Sequence, residues 1–273
     1  MRLFPPLILA ACCALALGEP ARAGTIALRA GRLVDPETGA AATGRVIVVD
    51  GGRITSIGTS VPAGARVIDL STATVLPGLF DSHTHLCSAI PMRGGRLESV
   101  MRDLLAYVSQ VPTATRALTG ASNARLMLEA GFTTVRDLGN AGLYADSALR
   151  QAVEGGLVPG PTIVNAGRII APVGGQLHVP PDRPDLAQPE YIDANGPDEV
   201  RRAVRQNIHF GARVIKLVVD DQPYVYSVEE IRAAVEEAGA AGIRVAAHCV
   251  TSRGARNAIE AGVASVEHGF SMT

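Results

Sequence analysis

The chain has 273 residues, 47% hydrophobic and 19% charged, so it can bury a large core and is neither disordered nor a coiled coil. A net charge of -1, no tryptophan and only 4% aromatics remove the usual grounds for a nucleic-acid or acidic-membrane partner. The length suits one barrel-sized domain and a small companion.

Residues 1–23 read as an export signal. Arg2 supplies a positive start, Leu7 to Leu17 an apolar segment, and Ala21-Arg22-Ala23 a small-x-small cleavage site. The apolar segment is too short to span a bilayer, so no transmembrane segment is expected. Leu9-Ala10-Ala11-Cys12 also looks like a lipoprotein box with Cys12 as the lipidated residue. That reading leaves a very short apolar core, and cleavage after Ala23 is preferred. Either way the mature protein is expected outside the cytoplasm, periplasmic or secreted. It then keeps only Cys87 and Cys249, too few for a disulfide framework.

Residues 24–76 have the rhythm of small antiparallel strands. Residues 25–30 are followed by the turn-rich Asp35-Pro36-Glu37-Thr38-Gly39, then by strands at 45–49, 53–58 and 66–70. Asp50-Gly51-Gly52 between two β-rich runs is a hairpin signal. This stretch reads as a small β domain that packs and carries no chemistry.

From Pro77 to residue 273 the pattern becomes strand, loop, helix, repeated. Strands are expected from Phe80 and at 131–137, 161–166, 212–219, 243–248 and 264–268. Helices are expected near 115–130, 145–154, 198–210, 227–241 and 253–261. Ser227-Val228-Glu229-Glu230 is a capping-box start for the fourth of these. The Pro- and Gly-rich stretch 171–197 reads as a long loop, a class that is usually functional or mobile. Six strands separated by helices imply a parallel sheet covered on both faces. A doubly wound sheet and a (β/α) barrel both fit that alternation, and the polar residues separate them. His83 and His85, Lys216, His248 and His268 fall at the ends of the first, fourth, fifth and sixth strands. In an open sheet they would lie far apart, whereas in a closed barrel they converge on one mouth.

His83 and His85 lie two apart on a strand, so both point to one face and can reach one cation. Most isolated His-x-His pairs are surface coincidence; the place of this one, at the end of an apolar strand, argues otherwise. Lys216 is the single lysine among 25 basic residues and sits in the apolar run Val214-Ile215-Lys216-Leu217-Val218-Val219. Burial lowers a lysine pKa, and the neutral amine can act as a nucleophile or take up carbon dioxide as a carbamate. A plainer reading has Lys216 snorkelling to Asp220 or Asp221. Beside four strand-end histidines, that reading is the weaker one. Of the other two histidines, His209 reads as structural within a helix. His178, in Gly174-Gly175-Gln176-Leu177-His178, sits on the long loop where it could touch substrate.

Pro77-Gly78 with His83-x-His85, Thr133-Thr134-Val135-Arg136-Asp137, the strand lysine, Ala247-His248 and Val266-Glu267-His268-Gly269 together resemble the metal-dependent amidohydrolase superfamily. The likeness is in particular to its imidazolonepropionase-like branch, which includes Xaa-Pro dipeptidases. It implies an α/β fold, a TIM-like (β/α)8 barrel with its first six units present, beside a small N-terminal β-sandwich. It also implies two divalent metal ions, usually zinc. His83 and His85 would hold the more buried ion, Lys216 would bridge as an N6-carboxylated side chain, and His248 and His268 would hold the second. The implied reaction is hydrolysis of a C–N bond in a small amide or dipeptide by a metal-bound hydroxide. Tyr226 matches a family tyrosine that contacts substrate, and His178 the histidine of a Gly-Gly-His motif. Two departures bear on substrate choice. Gln176-Leu177 separates the glycines from His178, and Val219-Asp220-Asp221 replaces a Gly-rich run. The family's eighth strand ends in an aspartate that binds metal and shuttles the proton, and it has no counterpart here. The chain is therefore expected to be a fragment of a longer gene. The alternatives are a single-metal deaminase or cyclic-amide hydrolase, which Lys216 opposes, and a non-catalytic metal-binding remnant. A homo-oligomer is left open.

Overall fold

Gly51 and Gly52 take φ values of 56° and 76°, the left-handed pair that a two-residue hairpin turn needs. They fold β2 (Ala41–Asp50) onto β3 (Arg53–Gly58). The other edge of β2 pairs antiparallel with β1 (Ile26–Val34). The fourth strand, β4 (Arg66–Val75), departs from expectation by running parallel to β1. Residues 59–65 carry the chain back to the start of β1, where the Arg66 N–H donates to the Thr25 carbonyl at 2.9 Å. On that return Val61 and Ala65 pack on the buried Ala27, Val46 and Val48, a burial that a tight hairpin would not supply. The sheet order is β3-β2-β1-β4.

This computed structural model describes residues 24–89, 97–139, 141–177, 179–221 and 223–271. The expected export signal with Cys12, and His178, lie outside the described residues. The chain divides into two compact units between Pro77 and Gly78.

In the larger unit, β5 (Leu79–Thr84), β6 (Phe132–Asp137) and β7 (Thr162–Asn165) form one parallel sheet in that order. A second parallel sheet has the order β12-β11-β10-β8-β9. Its strands are β8 (Ile169–Ala171), β9 (Tyr191–Asp193), β10 (Val214–Val218), β11 (Arg244–Thr251) and β12 (Ser265–Ser271). The helices are α1 (Leu97–Gln110), α2 (Thr113–Glu129), α3 (Ala145–Glu154), α4 (Pro197–His209), α5 (Val228–Ala240) and α6 (Ser252–Ala261). Of these, α1 is an addition to the expected set; it buries Leu104 and Val108, one helical turn apart.

Residues 171–197 are also not the open loop expected. They hold a 3₁₀ turn at Pro184–Leu186 and β9, and bury Leu177, Glu190, Tyr191 and Ile192. The prolines and glycines punctuate short packed pieces there.

β10 is buried at every position. Against it and β11 lie stripes at helical spacing: Val200 and Val204 of α4, Ile231, Ala234 and Ala238 of α5, and Ala255 and Ala258 of α6. Each fully buried valine or isoleucine contributes about 1.5–3 kcal/mol. The expected capping box starts α5. Ser227 Oγ accepts the Glu230 N–H at 3.2 Å, and the Glu230 carboxylate accepts the Ser227 N–H at 2.9 Å. No helix among the described residues is long and apolar enough to cross a membrane.

Candidate metal centre

The four strand histidines meet. Alternation on β5 brings His83, and His85 just beyond it, to one side with ring centroids 5.2 Å apart. His268 of β12 lies 4.8 Å from His83 and 4.5 Å from His248 of β11, which completes a row His85–His83–His268–His248. Val218 pairs level with His248, and Lys216 pairs two residues lower with Ala246, so the lysine lies a layer beneath the row on the same face. The strand ends differ from expectation, because β11 runs on to Thr251 and β12 to Ser271 across a register shift.

That irregularity has a local cause. His268 has a φ of 74°, in the left-handed region that side chains avoid, and strain of this kind clusters at functional sites. Regular alternation would send Glu267 and His268 to opposite faces. With the kink, Glu267 reaches His83 while the His268 ring also lies against His83. Glu267 and Arg136 are the site residues that sequence reasoning missed. Both stand inside the motifs that carried the family resemblance, but nothing in their spacing assigned them a partner.

Hydrogen bonds define which ring nitrogens are free. The Gly139 carbonyl, 3.1 Å from His85 Nδ1, can only accept, so that nitrogen carries the proton and Nε2 keeps its lone pair. Gly139 has a φ of 112°, and a Cβ there would fall 2.4 Å from an Ile169 side-chain carbon, so glycine is required to aim this carbonyl. His83 Nδ1 lies 2.8 Å from Glu267 Oε2. His248 Nε2 faces Asp221 Oδ2 at 3.4 Å. Asp221 is itself held at φ 87° and accepts from Gln176 Nε2 at 2.8 Å.

The charges follow from this crowding. Loss of hydration pushes His85 down to about 4, and the neighbouring His83, Lys216 and His248 add to the shift. His268, although partly open to solvent, is pushed down to about 3 by lost hydration and then by His248 and Lys216. Both rings are therefore neutral bases at pH 7. Burial would raise Glu267, but bonds from His83 and Ser265 and the charge of Arg136 hold it at about 2.

Lys216 is 2% exposed, and its Nζ has no hydrogen-bond partner among the described residues. Burial lowers it from 10.5 to about 8. The pairing with Asp220 or Asp221, which the plainer reading offered, is not made. Asp220 accepts from the Val250 and Thr251 N–H groups, and Asp221 serves Gln176 and His248. A further buried carboxylate, Asp137 at the end of β6, accepts the Leu86 N–H at 2.8 Å and the Thr84 hydroxyl at 3.3 Å, which braces the chain on both sides of His85.

Tyr226 is fully buried, and its hydroxyl donates to the Ala194 carbonyl at 2.6 Å. Tyr226→Phe is expected to lower stability by about 1 kcal/mol, read by urea unfolding, with KM unchanged. A raised KM at unchanged stability would instead support substrate contact. His209, the last residue of α4, rests on the Phe210 ring at 4.9 Å.

The profile of the amidohydrolase family matches residues 74–273. This chain belongs to the amidohydrolase family. Ochratoxinase of Aspergillus niger is 33% identical over 222 residues, covering 71% of this chain and 43% of its own. Imidazolonepropionase of Kosmotoga olearia is 28% identical over 251 residues, covering 81% of this chain and 56% of its own. A prolidase solved in complex with N-methylphosphonate-L-proline superposes with a TM-score of 0.76 at 31% identity, covering 91% of this chain and 62% of that one. The chain thus stands near the prolidase and imidazolonepropionase branches, with the α/β fold of their (β/α)8 barrels and an N-terminal sheet domain. It spans about half the length of the curated relatives it matches.

Members of this superfamily typically bind divalent metal. Among the described residues no group of three or more His, Cys, Asp or Glu closes on one point as a metal grip. The four imidazoles lean on one another instead, with interplanar angles of 54–71°. In donor chemistry the residues do fit such an ion. The His85 and His268 rings are held neutral, the Nδ1 atoms of His83 and His85 are committed elsewhere, and a buried amine below them has no partner among the described residues.

Proposed function

We propose that this amidohydrolase cleaves C–N bonds in small amides or dipeptides, Xaa-Pro dipeptides among them, with two divalent metal ions, zinc the usual one. The observation that carries the reading is the buried Nζ of Lys216, without a hydrogen-bond partner among the described residues, beneath a row of four imidazoles. A cationic structural lysine in that position would be costly, whereas a neutral amine is the form that takes up carbon dioxide. Bound metal would supply a water acidic enough to act near neutral pH and would polarise the scissile carbonyl.

His83 and His85 would hold one ion through Nε2, because their Nδ1 atoms are engaged. His248 would use Nδ1, since its Nε2 faces Asp221, and it would share the second ion with His268. Lys216, carboxylated, would place oxygen between the two. Gln176 and Asp221, which lie beside His248, are the side chains we assign to orienting substrate. The dipeptide preference rests on the likeness to prolidase and Xaa-Pro dipeptidase structures, at 31% and 32% identity. Export by residues 1–23 belongs to the same proposal.

Calorimetric titration of the metal-free protein with Zn²⁺ is expected to saturate at two ions per chain, and the whole protein to release proline from Xaa-Pro dipeptides. Saturation at one ion favours a single-metal deaminase or cyclic-amide hydrolase. No binding at all would remove the metal reading.

A further inference from the structure

We propose that Arg136 and Glu267 form a crossbar that locks His83 in the tautomer protonated at Nδ1, presenting its Nε2 lone pair for metal. The consequence for metal rests on the function proposed above; the tautomer itself does not.

The two oxygens of the buried Glu267 carboxylate have different work. Oε1 accepts from Arg136 Nη2 at 2.6 Å and from Ser265 Oγ at 2.6 Å. Oε2 is left for His83 Nδ1 at 2.8 Å. Arg136 is fixed in turn, through Nη1 to Ser265 Oγ at 2.9 Å and through Nε to the Ser82 carbonyl at 2.7 Å. The guanidinium therefore ties β5, in one sheet, to β12, in the other, two strands that do not pair. An ionised carboxylate can only accept, so His83 Nδ1 must donate to it. Such a carboxylate behind an imidazole sets both its tautomer and its direction. Arg136 and Glu267 are thus positioning residues, acting through His83.

The donors on Oε1 make the test sharp. In Glu267→Gln, Arg136 and Ser265 still demand an oxygen on their side, so the amide nitrogen must face His83. It donates, and His83 is driven to carry its proton on Nε2. Ring ¹⁵N shifts of the metal-free protein are expected to show Nδ1–H in the wild type and Nε2–H in Glu267→Gln. Zinc affinity, measured with Zn²⁺ alone, is expected to fall about 10–100-fold. In Glu267→Gln with Arg136→Met the amide can turn, and the Nδ1–H form is expected to return. A His83 that keeps Nδ1–H in Glu267→Gln overturns the proposal, whatever the protein does with zinc. If the wild type binds no zinc, the function proposed above fails while the tautomer comparison still decides this one. Should Glu267→Gln not fold, Glu267→Ala with Arg136→Met, which removes the acceptor together with its counter-ion, carries the test. There His83 is expected to populate both tautomers, and a single unchanged tautomer overturns the crossbar.

Discussion

Exchanging Glu190 for alanine is expected to lower the unfolding free energy by about 3–5 kcal/mol. Glu190, next to β9, pairs directly with Arg116 of α2, and the two side chains are 0% and 1% exposed. The Gly142 N–H donates to the same carboxylate at 3.4 Å, and the guanidinium carbon lies 5.3 Å from the centre of the Tyr107 ring on α1. One buried charge pair thus joins α1, α2, the turn after β6 and the segment 171–197. Taking away the carboxylate leaves a buried guanidinium that has lost this counter-ion, and part of its desolvation is then uncompensated. Urea unfolding with an unchanged m-value measures the loss. Replacing both partners, Arg116→Met with Glu190→Leu, is expected to recover most of it, because the cost lies in the buried charge left behind. A loss well below 1 kcal/mol in Glu190→Ala would show that the pair does not hold this corner together.

Lys216→Met is expected to abolish two-metal occupancy while leaving the fold as stable as before or more so. The substitution keeps an unbranched apolar stem and removes a buried amine that has no partner among the described residues. Metal content per chain, measured after zinc loading, reads the first half. Two ions retained in Lys216→Met would sink the bridging assignment.

The second half has a pH signature in metal-free buffer purged of carbon dioxide. In the folded protein Lys216 titrates at about 8, against its usual 10.5. Between those values the unfolded chain still holds the proton that the folded chain has released. The unfolded state binds more protons there, so stability rises with pH through the window, by on the order of 3 kcal/mol. Below about pH 8 both states are protonated and the destabilisation is present in full. Lys216→Met is expected to lose this slope between pH 8 and 10.5, and an equal slope in both proteins would refute the buried-amine account.

The sequence by itself determined the β/α repeat and the five donor candidates. Those features rest on interactions between near neighbours. The Ser227 capping box spans four residues, the Gly51-Gly52 turn spans two, and alternation alone puts His83 and His85 on one side. The apolar run around Lys216 announces burial in the same local way. Only the tertiary structure decided the rest. Residues 171–197 look like an open loop until Arg116, 74 positions from Glu190, anchors them. β4 turns parallel because the return segment 59–65 has an apolar face to cover. Glu267 joins His83 to Arg136, which is 131 positions away, because a left-handed φ at His268 breaks the alternation. Strain at one residue and a charge pair far apart in sequence are decided by how much burial and desolvation the whole fold can balance. No window of neighbouring residues contains that balance.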